Sequence, residues 1–241
     1  MEGGDSIEVL AAEIGTQVRT TADHTVPTLR KTRRAVSCRL KALEPADVID
    51  LTVLLQTSRH VPRWFSYELL HHHRGAMARP TETHLEQLGD GLAGWGEVDA
   101  FACYLAGPAW RERQIRDDVI QRWAVSAIRW WRRVAVVSTV ALNNTARGGA
   151  GDADRTLLVC DIVKGDSDDM VVKALSWALR ELARKDPQAV RAFLHRNKDR
   201  LAARVLREVR NKLETGRKYP RPAAGRGRPT TSRPNRQRRK A

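Results

Sequence analysis

The chain has 241 residues with 43 Lys or Arg against 28 Asp or Glu, a formal charge of +15, and 41% apolar residues. It is long enough to bury a sizeable core, and so basic a surface seeks polyanions or anionic membranes as partners. Cys38, Cys103 and Cys160 lie far apart without a C-x-x-C pair, which argues against a disulfide framework or a zinc site and fits a reducing cytoplasm.

In chain order, residues 6 to 18 carry apolar residues at helical spacing behind Ser6, and the acidic stretch before them has no apolar signal core, so neither export nor membrane insertion is expected. Thr25-Val26-Pro27 opens a second helix, whose stripe of Leu29, Ala35, Val36, Leu40 and Leu43 opposes a basic face. Pro45, Pro62, Pro80, Pro108 and Pro187 each sit near the start of an amphipathic run, where a missing N–H costs little. Between them the pattern predicts helices near 45 to 57, 62 to 74, 81 to 92, 96 to 106, 111 to 124, 127 to 143, 153 to 164, 168 to 185, 187 to 195 and 198 to 214. The β-branched run Val134 to Val140 keeps a helical period and has no partner strand.

Leu29, Trp64, Ala100, Arg133, Val172 and Val205 occupy comparable places in successive units, at intervals of 33 to 39 residues. Such spacing suits stacked helix pairs, so the expected fold is all-α, a HEAT-like helical repeat solenoid with a concave face, an irregular bundle being the alternative. Asn144 to Asp152, with three glycines, reads as a mobile loop between repeats. Residues 1 to 216 are expected to form the folded domain. Residues 217 to 241 hold ten of the basic residues and no acidic one, the composition of an unfolded tail that attracts DNA non-specifically.

Three segments carry candidate chemistry. In Gly94-Trp95-Gly96-Glu97-Val98-Asp99 an aromatic precedes a carboxylate by one helical turn at a helix start; by itself this is either a binding pair or a corner and a helix-stabilising charge. The others are Arg129-Trp130-Trp131-Arg132-Arg133-Val134 and Lys173-Ala174-Leu175-Ser176-Trp177-Ala178-Leu179-Arg180-Glu181. Lys173, Arg180 and Arg184 face either DNA or solvent. The histidines His71, His72, His73 and His84 make a poor metal site, because successive helical residues point about 100° apart. Trp123, Trp130 and Trp131 read as core, and Asp166, Asp168 and Asp169 as helix caps.

The ordered set W-x-x-x-D, an Arg before an apolar helix, and K-A-x-x-W-A-L-R-E resembles the AlkD-type DNA alkylation-repair glycosylases, from about Pro27 to Leu213. The resemblance implies a HEAT-like solenoid holding duplex DNA on its concave surface and releasing N3- or N7-alkylated purines, without cofactor or metal. Asp99 matches the catalytic carboxylate, Trp95 and Trp177 the aromatics beside the lesioned nucleotide's sugar, and Arg133, or its neighbour Arg132, a backbone-phosphate contact; Lys173 and Arg180 join the DNA-facing set. It further implies a cytoplasmic monomer acting on double-stranded DNA without an obligate protein partner, and a lesion that stays stacked, so that bulky adducts are candidate substrates beside simple methylpurines. No lysine is placed as a Schiff-base nucleophile, hence a monofunctional enzyme. The rival reading is a non-catalytic DNA-binding scaffold.

Overall fold

A computed structural model describes residues 2–219, and side chains from Ile7 onward. Every regular element among these residues is helical: α1 (Glu2–Arg19), α2 (Val26–Leu40), α3 (Pro45–Gln56), α4 (Arg63–His72), α5 (Arg74–Met77), α6 (Glu82–Gly89), α7 (Trp95–Phe101), α8 (Gly107–Arg111), α9 (Asp117–Ala124), α10 (Arg129–Ser138), α11 (Val140–Asn143), α12 (Ala153–Ile162), α13 (Asp169–Leu182), α14 (Pro187–Arg196) and α15 (Ala203–Thr215). A π-helical turn, Ala102–Ala106, joins α7 to α8, and a 3₁₀ turn, Thr145–Arg147, follows α11. Among the described residues no helix is long and apolar enough to cross a membrane.

Local chemistry explains most of the boundaries. Pro27, Pro45 and Pro187 stand in first turns, and the carboxylates of Asp152, Asp168 and Asp186 accept from the free N–H groups of α12, α13 and α14. His73, expected inside the helix over 62 to 74, is a cap instead, while His84 is helical as expected and serves the start of its own helix. The His73 ring accepts from Ala76 N–H, and Thr81 with His84 closes a capping box on α6.

The helices form a repeat solenoid. α2, α4, α7, α10, α13 and α15 pack in succession as one layer, while α1, α3, α6, α9, α12 and α14 lie behind them. The six positions spaced at 33 to 39 residues fall one on each helix of the first layer. Buried Val36, Phe65, Phe101, Val134, Leu175 and Val205 fill the space between the layers, each contributing about 1.5–3 kcal/mol by leaving water. Trp110 and Trp123 are core; Trp131 is partly buried and meets Phe101 edge to face and Trp123 at a tilt.

Five segments depart from the sequence reading, one of them the helix expected over 198 to 214, which starts only at Ala203. The helix expected over 96 to 106 widens into the π turn after Phe101, which puts Cys103 and Tyr104 on the wall of a cavity and lets Gly107 press against the Ser138 carbonyl and the Ala141 side chain. The helix expected over 127 to 143 breaks at Thr139. There the Ser138 and Thr139 hydroxyls donate back to the carbonyls of Val134 and Val136 and compete with the ladder. Residues 112–116 form a turn rather than the first part of a helix, with Arg113 at φ 62.

The fifth departure is Asn144 to Asp152, which is packed rather than loose. Gly149 N–H donates to Asn144 O at 2.9 Å, Gly151 N–H to Leu142 O at 2.9 Å, and the Arg111 guanidinium to the Arg147 carbonyl. A Cβ on Gly149 would stand 2.7 Å from the backbone of Leu142, Asn143 and Asn144. Gly149→Ala is therefore expected to cost about 1–3 kcal/mol by overpacking, read as a Tm lowered by several degrees in thermal melting, with Gly94→Ala, at an extended position that meets no neighbour, serving as the comparison.

The tail assigned to 217–241 lies outside the described residues from Pro220 onward. Its first residues fold back on α15, with Lys218 Nζ 3.4 Å from the Glu208 carboxylate.

Candidate active site

Three adjacent helices of one layer, α7, α10 and α13, supply the residues singled out by sequence. α7 starts at an extended Gly94, and Trp95, its first residue, stands 62% exposed. A Cβ on Gly94 or Gly96 would meet nothing within 4 Å, so the indole is flanked by open space. Asp99 follows one turn later on the same side of the helix.

Asp99 meets Arg133. Arg133 Nε donates to Asp99 Oδ1 at 2.9 Å and Nη2 to Oδ2 at 2.8 Å, a planar fork on both carboxylate oxygens. The arginine side chain is only 7% exposed and the aspartate 20%, and Arg133 Nη1 also donates to the Met170 carbonyl at the start of α13. One side chain of α10 thus ties α7 to α13. Burial pushes the Asp99 carboxyl above its ordinary value, and the hydrogen bonds and charge of Arg133, helped by the charge of Arg147, pull it partly back. The result is a carboxylate short of solvent, fixed in orientation, with lone pairs left over for a ligand.

The neighbouring arginine is used differently. Arg132 Nε donates to Asp166 at 2.6 Å and Nη1 to the carbonyls of Ser126 and Ala127 at 2.9 and 3.1 Å, so it pins the turn before α10 to the turn before α13. Of the three aspartates expected as caps only Asp168 caps α13; Asp166 accepts instead from the Asp168 N–H and from Arg132, and Asp169 pairs with Lys173 and Arg204.

Trp177 lies on α13. Its Nε1 donates to Glu181 Oε1 at 3.3 Å, and the other oxygen of this buried carboxylate accepts from Asn144 at 3.2 Å. Trp177 lines a groove of about 470 Å³ with Lys173, Arg180, Arg204, Arg207 and Tyr219, and with Glu208 as the one acid. Lys173 is paired with Asp169 at 2.6 Å, and Arg180 Nε reaches Ser176 Oγ at 3.3 Å while burial lowers its guanidinium from the ordinary value. The fold therefore joins Asp99 to Arg133 directly and sets Trp177, Lys173 and Arg180 along a basic groove on the next helix.

Beside Asp99 is a second cavity, about 540 Å³, that the sequence reading did not find. Its wall includes Arg30 and Arg33 of α2, Glu68 and His71 of α4, Tyr104 of the π turn, and Arg147. His71 Nδ1 lies 2.8 Å from the Tyr104 carbonyl, so the His71 to His73 run serves wall and cap. Among the described residues no group of three or more His, Cys, Asp or Glu is arranged to hold a metal ion. The signal for this wall was an Arg immediately before two glycines, the pattern of a tight turn that presents a side chain, but composition alone had marked that stretch as loose.

The family model described as DNA alkylation repair enzyme matches residues 20–213. No curated protein and no solved structure matches the chain.

Proposed function

Because the chain belongs to the DNA alkylation repair enzyme family, we propose that it is a monofunctional glycosylase that hydrolyses the N-glycosidic bond of cationic N3- or N7-alkylated purines in duplex DNA and leaves an abasic site. The observation that carries this reading is the partly exposed, desolvated Asp99 carboxylate held in a fork by Arg133 beside the open face of Trp95.

Alkylation at N3 or N7 makes the purine a cation, so it departs as a neutral base without a general acid. As the C1′–N bond breaks, the deoxyribose gains oxocarbenium character. A fixed carboxylate stabilises that charge and orients a water molecule, whose oxygen bonds to C1′ while its proton passes to Asp99. The rings of Trp95 and Trp177 face the sugar C–H groups and favour the same developing charge. In this reading a backbone phosphate meets the N–H groups of Arg133 that Asp99 and Met170 do not engage, a contact that positions without reading sequence. Lys173 and Arg180 extend the contact along the groove.

The open space around Trp95 supports recognition of the lesion within the duplex, and with it acceptance of adducts too large for a closed base pocket. The enzyme acts as a cytoplasmic monomer in this reading, and needs neither metal nor cofactor. Incubation with a methylated duplex tests it: free alkylpurine and an alkali-labile abasic strand are expected, without strand cleavage before alkali. Direct nicking, or no release, would overturn the proposal.

A further inference from the structure

The cavity beside Asp99 holds more positive charge than its own acid balances. Glu68 is buried and accepts from Arg30 Nε and Arg33 Nε, both at 3.1 Å, so a single carboxylate serves two guanidinium groups. Arg147 is a third. Among the described residues no carboxylate or carbonyl accepts from its guanidinium, which instead lies over the Tyr104 ring, 5.4 Å from the centroid. From the other side Arg30 Nη2 reaches Tyr104 Oη at 3.5 Å. Two arginines thus flank one tyrosine at the mouth of a cavity with two positive charges in excess, and gathering like charges without an anion is unfavourable.

Arg147 is also held in place. Its carbonyl is bonded by Arg111, Gly148 follows at φ 83, and the N–H groups of Gly149 and Gly151 are tied to Asn144 and Leu142. Its side chain is carried on a built turn, so little ordering is needed when an anion arrives. The cavity adjoins the catalytic residues: Cys103 on its wall is one turn beyond Asp99, and the Arg147 charge acts on the Asp99 carboxyl.

We propose that this cavity is a backbone-phosphate site, in which Arg147 and Arg30, on either side of Tyr104, hold one phosphodiester of the duplex next to the lesion. Arg147 is thereby a positioning residue: it fixes the strand relative to Asp99 from the wall of this cavity. The assignment rests on duplex DNA being the substrate and needs no turnover.

The test is the salt dependence of binding of the full chain to an unmodified duplex. For each phosphate that the protein no longer neutralises, the slope of log K against log salt should fall by about 0.9. The double variant Arg147→Gln/Arg30→Gln is expected to lower it by about one unit, and Arg147→Gln and Arg30→Gln singly by part of that, with binding weakened several-fold at low salt. Arg147→Lys should keep the slope, and Arg191→Gln, which removes an exposed charge on α14, should leave it unchanged. Equal slopes for wild type and the double variant, an equal effect from Arg191→Gln, or no duplex binding by wild type would overturn the proposal. A lowered slope in a protein that releases no base would uphold the phosphate site and remove the glycosylase reading instead.

Discussion

Arg133→Ala is expected to damage both stability and pH response, because the guanidinium serves Asp99 and Met170 at once. Removing one partner of a buried pair costs about 3–5 kcal/mol; with Asp99 partly solvated the loss should be nearer about 2–3 kcal/mol at neutral pH. The sign of the pH dependence follows from the carboxyl. Burial already raises Asp99 above its ordinary value, and without Arg133 the upward push is unopposed by its largest counterweight. A raised acid binds its proton more tightly when folded, so its contribution to stability is complete below the ordinary carboxylate value and is lost as pH rises through the folded one. The stability difference between wild type and Arg133→Ala should therefore be largest at neutral pH and shrink on acidification, as measured by denaturant unfolding across pH. In single-turnover base release the acid limb of the rate profile should move to higher pH, since Asp99 acts as its anion. Arg133→Lys should recover part of both losses, a point charge lacking the fork. A pH-independent stability loss with an unmoved limb would separate Arg133 from Asp99.

Much of the architecture was legible because local and long-range signals coincide. Pro27, Pro45 and Pro187 and the capping aspartates mark helix starts by chemistry that does not depend on neighbours, and the period of 33 to 39 residues recurs because each pair must bury its apolar side on the next. That period also contains the Asp99–Arg133 pair, since 34 residues separate them and each lies on a helix of the same layer. Spacing cannot say which of Arg132 and Arg133 turns inward: a shift of one residue rotates the side chain by about 100°, and packing of α10 on α7 decides. The π turn was hidden because it arises with a tertiary approach, of Gly107 to the Ser138 carbonyl, and the break at Thr139 because local back-bonding by the Ser138 and Thr139 hydroxyls leaves the apolar periodicity unbroken. The Gly-rich loop was misread for a related reason. Glycines that permit φ above zero, as at Gly148 and Gly151, or close approach, as at Gly149, have the composition of a flexible linker but here are required by a fixed turn.

Asp99→Asn probes the chemistry with the least structural change. The amide keeps the size of the side chain and one acceptor for the Arg133 fork, but turns an N–H₂ toward the other donor and removes the negative charge. Loss of one preorganised electrostatic group costs about 10²–10³ in rate, and here the group also orients the water, so a fall of at least that size is expected. Binding to duplex should change little, because Asp99 is not among the positive groups that meet phosphate and loss of its charge makes the face more basic. An uncompensated Arg133 should lower stability by about 1–3 kcal/mol, small enough for the variant to fold.

The most direct measurement is thus release of alkylpurine from a methylated duplex, and from a duplex carrying one bulky N3-adenine adduct, by wild type and Asp99→Asn at saturating enzyme with binding followed in parallel. Release by wild type is expected, with a rate at least about a hundredfold lower in the variant and duplex affinity retained. Release at the same rate in both would contradict the role of Asp99, and binding without release from either substrate would mean that the solenoid is a DNA-binding scaffold and not a glycosylase.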